Sequence, residues 1–151
     1  MGKRVAIGTA VLLVLMLGGV AFVVGSAYLE HQRLVAEETA AYPPPGMMVE
    51  AGEGRIHVHA VGAGKPTIVL MSGLGTAAPV LDFAPLTQYL ADDFRVVVVE
   101  RAGYGWSDVT GAPRDLDTVL EETRSALCLA GETPPYVLMP HSLAGLEALH
   151  W

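Results

Sequence analysis

Tyr-Val-Leu-Met-Pro-His-Ser-Leu-Ala-Gly, residues 136–145, is the stretch that decides the fold of this chain. An apolar run stops at a serine, Ser142, and small and helix-forming residues follow at once. A strand that turns sharply into a helix with serine at the apex is a nucleophile elbow. The tight turn needs small residues two positions before and after the serine, where this chain has Pro140 and Ala144. The match is partial, because the motif prefers glycine at both positions, and an ordinary helix N-cap is the alternative.

Two upstream segments share one arrangement, a buried strand followed by a turn rich in glycine. The apolar run Thr67–Met71 leads into Ser-Gly-Leu-Gly-Thr at 72–76, and the run Arg95–Glu100 leads into Arg-Ala-Gly-Tyr-Gly-Trp-Ser-Asp at 101–108. A period-two pattern over Arg55–Val61 predicts a further, half-buried strand. Amphipathic helical patterns lie between the strands. This alternation predicts an α/β fold whose parallel sheet is covered by helices on both faces.

Together the three segments resemble the α/β-hydrolase family. Its members carry a small-residue oxyanion loop after one strand, an acidic-x-x-Gly-x-Gly-x-Ser segment after the next, and a serine elbow after the third. All three occur here in that order over roughly Met47–Trp151, with Ser72 where the family most often has histidine. The resemblance implies the N-terminal portion of an α/β-hydrolase: a mostly parallel sheet with helices on both faces, preceded here by one transmembrane helix.

The resemblance also implies a serine hydrolase that works through an acyl-enzyme. Ser142 would be the nucleophile, and the backbone N–H groups of Leu143 and Leu74 would form the oxyanion hole. His141 is adjacent to the serine, so its side chain leaves the backbone in another direction and is not expected to act as the base. Glu100, at the acidic position of the family segment, is expected to be structural.

The family's catalytic acid and histidine follow the serine in chain order, and only nine residues follow Ser142. His150 would lie about 12 Å along the emerging helix. We therefore interpret the chain as the N-terminal fragment of a longer membrane-anchored hydrolase, inactive alone, whose elbow strand is left as an exposed sheet edge. The substrate, a small molecule or a peptide, and the bond cleaved, ester or amide, are left open, as are the cap and the oligomeric state.

The N-terminal segment predicts a membrane anchor. No charged residue occurs from Val5 to Leu29, and an apolar helix of that length exceeds the ~30 Å hydrocarbon core of a bilayer. Lys3 and Arg4 precede it, which predicts a cytoplasmic segment 1–4, a transmembrane anchor 5–29 and a single-pass protein of the cell membrane. Residues 30–46, polar and then rich in proline, are predicted to link it to a partial hydrolase domain, 47–151, on the extracytoplasmic side. The alternative is a cleaved signal peptide, whose apolar region is normally shorter.

Composition narrows the possible partners. The net charge is −7 with no lysine or arginine cluster, which argues against nucleic acid as a partner. The single cysteine, Cys128, excludes an intramolecular disulfide and is expected to be a buried thiol. His57 and His59 share one face of a predicted strand, but no third ligand lies nearby, so a solvated face is expected in preference to a metal site. No cofactor is expected.

Two rival functions come from other classes. Residues 73–78, Gly-Leu-Gly-Thr-Ala-Ala, fit the G-x-G-x-x-A dinucleotide fingerprint, with Glu100 near the position of a ribose-binding acid. A Rossmann-like protein would use Gly73-Leu74-Gly75 to hold a pyrophosphate, although Pro79 and Pro85 place the helix start too late for that role. The other rival is a non-catalytic, membrane-anchored interaction module.

Overall fold

The computed structural model describes residues 2–151; Met1 and the side chains of residues 4–6 lie outside the described part, and with them some of the predicted cytoplasmic segment 1–4. The chain divides into two compact units, Met1–Pro43 and Pro44–Trp151. The first contains one helix, α1 (Gly2–Ala41). Its stretch Ile7–Ala41 is long and apolar enough to cross a membrane by length and composition. The helix runs on through the polar residues after Leu29, and its insertion into a membrane stays a prediction.

The second unit contains the sheet. Its elements, in chain order, are β1 (Met47–Ala51), β2 (Gly54–Val61), β3 (Thr67–Met71), α2 (Pro79–Asp82), α3 (Ala84–Leu90), β4 (Arg95–Glu100), α4 (Leu116–Leu129), β5 (Tyr136–Pro140) and α5 (Ala144–His150). The strands lie in the order β1-β2-β4-β3-β5. β1 pairs antiparallel with β2, and β2 pairs antiparallel with β4, whereas β3 is parallel to both β4 and β5. The carboxyl ends of β4, β3 and β5 therefore meet at one edge of the sheet.

The core lies on both faces of the sheet because side chains alternate along β3 and β4. Ile68 and Val96 belong to the cluster that also contains Val80 of α2, whereas Val69 and Val97 belong to the cluster that contains Leu127 of α4 and Ala144 of α5. Strands buried on both faces are expected to be continuous apolar runs, which is what these two are. The predicted α/β architecture with helices on both faces is confirmed.

Two parts of this frame concern the predicted site: the beginning of α4 and the outer edge of β5. Asp115 caps α4: its side chain accepts a hydrogen bond from Thr118 N–H at 2.9 Å, and this bond lowers the pKa of the carboxyl. β5 lies at the edge of the sheet and pairs with β3 on one side. Val137 and Met139 are exposed there.

Two predictions about side-chain burial are wrong. Cys128 is exposed, because it lies on the solvent side of α4 while its neighbours Ala126 and Leu127 face the sheet. His57 has no exposed surface, because β2 is flanked by strands on both sides and the loop after β4 hydrogen-bonds over it through Ser107, whose Oγ accepts from His57 N–H at 2.9 Å. The sequence pattern shows which face of a strand is polar; it cannot show that a distant loop covers that face.

Candidate active site

Ser142 lies in the turn between β5 and α5, with φ = 56°. Among residues 2–151 it is the one non-glycine residue with positive φ. That region costs an L-residue roughly 1–2 kcal/mol, so it persists only where surrounding structure imposes it. The N–H groups of Ala144 and Gly145 turn back to the carbonyls of His141 and Ser142, at 3.2 and 3.0 Å, and close the turn. The side chain of the serine is left exposed at the apex.

The glycine loop after β3 packs directly on this turn. A Cβ on Gly73 would lie 2.9 Å from Ser142 Cβ and 3.3 Å from His141 Nδ1, so a larger residue would push the two segments apart. His141 N–H donates to the carbonyl of Met71 at 2.9 Å, which extends the β3–β5 pairing up to the serine. The loop and the elbow are therefore held against each other by both backbone and close packing.

The two predicted oxyanion donors follow these contacts in the chain. Within residues 2–151, neither Leu74 N–H nor Leu143 N–H has a hydrogen-bond partner, so both are free to bind an anion. Leu74 follows Gly73, the residue in contact with the elbow, and Leu143 follows Ser142. Their pairing in an oxyanion hole stays a prediction, and the packing of Gly73 on Ser142 is the structural reason to retain it.

Leu74 and Leu143 also line one cleft of about 280 Å³. Its other lining residues are Arg101, Ala102, Tyr104, Arg114, Asp115, Leu116, Val119, Leu146 and Glu147. The walls are mainly apolar, and the charged lining side chains are two of each sign. A cleft of this character suits a small, largely apolar molecule with a polar group at one end.

Glu100, at the end of β4, is a buried acceptor for three donors. Its Oε1 accepts from Val80 N–H at 3.0 Å, and its Oε2 accepts from Trp106 N–H at 2.8 Å and lies 3.0 Å from His57 Nδ1. Because a carboxylate only accepts, Nδ1 carries the hydrogen, and Nε2 in turn accepts from Gly46 N–H at 2.9 Å. Glu100 therefore joins β4, α2 and the turn before β1, a structural role.

The same contacts count against the dinucleotide alternative. The carboxylate of Glu100 is fully occupied inside the protein and cannot reach a ribose. Gly75 has φ = 81°, but α2 begins only at Pro79, so no helix N-terminus faces a pyrophosphate at Gly73-Leu74-Gly75.

The described contacts do not assign a base to Ser142. Within residues 2–151, Ser142 Oγ has no hydrogen-bond partner, and His150 Nε2 lies 3.0 Å from Asp117 of α4 instead. His59 is half-buried; burial and the neighbouring His57 lower its pKa. Among residues 2–151 no group of three histidine, cysteine or acidic side chains is placed to hold a metal ion. The described contacts thus show Gly73 packed on the serine turn, while the oxyanion donors and the base of Ser142 stay predictions.

Two charged residues that line the cleft were missed by the sequence analysis. Arg101 forms an ion pair with Glu147 of α5, and the side chains are only 12% and 9% exposed. Burial raises the pKa of Glu147, while the arginine opposes that rise. The one signal in the sequence is an acidic residue in the first turn of an otherwise apolar helix, which alone is typical of a solvated helix start.

The comparisons with known proteins identify relatives of this chain, although no family model matches it. YbdG of Bacillus subtilis (strain 168) is 42% identical over 126 residues, which are 83% of this chain and 39% of YbdG. The pimeloyl-[acyl-carrier protein] methyl ester esterase of Xanthomonas oryzae pv. oryzae (strain MAFF 311018) is 36% identical over 95 residues, 63% of this chain and 34% of the esterase. The chain thus spans between a third and two fifths of the length of these relatives.

A solved structure shows the same architecture. The esterase EaEST from Exiguobacterium antarcticum superposes with a TM-score of 0.61 at 23% identity, covering 70% of this chain and 38% of EaEST. At that identity the likeness concerns the fold.

Proposed function

We propose that this chain, whose fold is that of the α/β-hydrolases, contributes the nucleophile and both oxyanion donors of a serine hydrolase. The observation that carries the proposal is the left-handed backbone of Ser142 at the apex between β5 and α5, with Gly73 packed on it. Hydrolase activity is supported by the relatives and structural neighbours named as esterases. They favour carboxylic esters, and amide or peptide bonds are the second candidate.

The proposed reaction has two halves. Ser142 Oγ attacks the carbonyl carbon while a base takes its proton; the alcohol leaves with that proton, and an acyl-enzyme remains. Water, activated by the same base, then attacks the acyl carbon and releases the acid. The N–H groups of Leu74 and Leu143 would stabilise the oxyanion in both halves, and each such donor is typically worth about 3 kcal/mol. In the family the base and its orienting acid follow the serine in chain order, so the proposal assigns to residues 2–151 the nucleophile and the oxyanion donors alone.

The cleft between α4 and α5 is the proposed place for the substrate. Leu74 and Leu143, which carry the two proposed oxyanion donors, line it, and Leu116, Val119 and Leu146 form apolar walls that suit the acyl or alcohol part of a small ester.

We further propose that α1 anchors the protein in the cell membrane through residues 5–29, with residues 47–151 on the extracytoplasmic side. The helix is long and apolar enough to span, and Lys3 and Arg4 precede its apolar stretch.

The test uses the whole gene product in membranes of producing cells. A fluorophosphonate, which modifies activated serines covalently, should label the protein, and Ser142→Ala should abolish labelling. Ser125→Ala, a serine of α4, is the matched control and should label like wild type. Labelling that survives Ser142→Ala refutes the nucleophile assignment. Tight NAD binding that Gly75→Val abolishes, with no fluorophosphonate adduct, would establish the dinucleotide alternative instead.

A further inference from the structure

The guanidinium of Arg101 connects the two segments that carry the predicted oxyanion donors. Its Nη2 donates to the carbonyls of Ser72 and Gly73, at 3.0 Å each. Its Nη1 donates to the carboxylate of Glu147. Gly73 directly precedes Leu74, and Glu147 lies one helical turn after Leu143, so one side chain reaches the backbone next to one donor and the helix that begins at the other.

This contact has the features of a rigid connection. Both side chains are almost wholly buried, and a buried ion pair that loses one partner leaves an uncompensated charge. Three hydrogen bonds in fixed directions need the planar fork of arginine, which the ammonium of lysine cannot reproduce. The ring of Tyr104 stacks on the guanidinium at 4.7 Å and further restricts its orientation.

We propose that Arg101 and Glu147 are a positioning pair that sets the separation of the N–H groups of Leu74 and Leu143. The proposal rests on the serine hydrolase function proposed above and adds to it a device outside the nucleophile, base and acid. Donors stabilise an oxyanion only at about 2.7–3.1 Å, and a misplacement of about 1 Å can cost roughly 100-fold in rate. The loop has glycine on both sides of Leu74 and needs such a restraint, because glycine adds backbone freedom.

A second arginine–glutamate pair at the other end of β4 provides the matched control. Arg95 donates to the carboxylate of Glu132 and, at 2.9 Å, to the carbonyl of Gly62. This pair likewise joins an arginine to a carboxylate and a backbone carbonyl, but Arg95 lies at the amino end of β4, away from the cleft. A purely structural role for Arg101 predicts that the two pairs respond alike to substitution.

The experiment measures hydrolysis of p-nitrophenyl acetate by the whole gene product. Arg101→Lys is expected to lower kcat 10- to 100-fold with KM within about twofold of wild type. Arg95→Lys should leave kcat within twofold of wild type, although it should lower the melting temperature as much as Arg101→Lys does. Glu147→Gln keeps an acceptor for the guanidinium and should retain more kcat than Glu147→Ala. Equal kcat in the two arginine variants overturns the positioning role.

Two further results separate this proposal from the function on which it rests. If Ser142→Ala leaves turnover unchanged, the serine mechanism itself is wrong. If Ser142→Ala abolishes turnover while Arg101→Lys is fully active, only the positioning role of Arg101 and Glu147 is wrong. Hydrogen–deuterium exchange gives a readout that needs no turnover. Arg101→Lys should speed exchange at least tenfold in peptides covering 72–76 and 143–147, Arg95→Lys should not, and unchanged exchange in Arg101→Lys overturns the proposal.

Discussion

Gly105 is a position where one added methyl group is expected to damage the fold severely. Its φ is 49°, and a Cβ there would lie 2.0 Å from Oε2 and 2.2 Å from Cδ of Glu100. Gly103, two residues earlier in the same loop, has φ = 82°, but its Cβ would meet no atom within 4 Å. The pair of variants Gly105→Ala and Gly103→Ala therefore separates backbone strain from collision with the buried carboxylate.

The expected magnitudes follow from these contacts. Both variants suffer the left-handed backbone cost of roughly 1–2 kcal/mol. Gly105→Ala must also move the carboxylate of Glu100 away from Val80, Trp106 and His57. A hydrogen bond to a charged group contributes about 1.5–3 kcal/mol, so losing two of the three brings the total to about 4–8 kcal/mol. Since small domains have only about 5–15 kcal/mol of stability, Gly105→Ala should be largely unfolded at 37 °C while Gly103→Ala folds.

Urea unfolding followed by tryptophan fluorescence gives the measurement, because Trp106 lies in the affected loop. The free energy of unfolding should fall at least 3 kcal/mol further for Gly105→Ala than for Gly103→Ala, by the reasoning above. Equal losses in the two variants would show that the Glu100 carboxylate is free to move, and would refute the view that it holds β4, α2 and the turn at Gly46 together.

Three further predictions concern activity, topology and pH. The isolated chain should hydrolyse a p-nitrophenyl ester no faster than its Ser142→Ala variant, because within residues 2–151 no hydrogen bond joins Ser142 Oγ to a base; serine-dependent turnover would reveal a base among its histidines. Protease added to intact cells or spheroplasts should degrade residues 47–151 and leave a membrane-bound stub, and a fully protected domain with a digested N-terminus would reverse the orientation. Hydrogen bonds from Arg55 lower the pKa of Asp108 below its ordinary 3.8, so the stabilisation is present above pH 3.8 and disappears as the pH falls through the lowered pKa. Asp108→Asn should therefore lose less stability than wild type on acidification below about pH 4, and an identical acid transition would contradict this.

The sequence was sufficient where the determining forces are local. The predicted strands Thr67–Met71 and Arg95–Glu100 coincide with β3 and β4, because an uninterrupted apolar run can only be buried on both faces. The resemblance to the α/β-hydrolases is confirmed. It was visible in the sequence because its three segments are continuous stretches that follow one another in the family's order. β1 was not predicted: Met47–Ala51 is short and lies at the sheet edge, so its apolar pattern is brief.

Contacts between distant segments could not be predicted. His57 and Glu100 are 43 residues apart, and Arg101 and Glu147 are 46 apart. Glu100 was expected to be structural, but nothing in its own segment identifies its partner, and only the assembled sheet shows that the members of each pair are buried against each other. The Ser142 assignment stays a prediction for a related reason: a triad is a spatial relation, and within residues 2–151 no hydrogen bond joins Ser142 Oγ to a base.

Because the backbone of Ser142 is left-handed, selection for stability and selection for catalysis favour different residues at this position. Glycine adopts that conformation without steric cost, so Ser142→Gly should fold at least as well as the natural chain while losing the hydroxyl. A lineage that gave up the reaction would gain nothing by keeping serine, and we expect glycine or asparagine to replace it there. In lineages that keep the reaction, serine should persist although it is the less stable choice. Residue 142 can therefore serve as a marker in genome sequences, separating descendants that still cleave a substrate from those that retain only the fold.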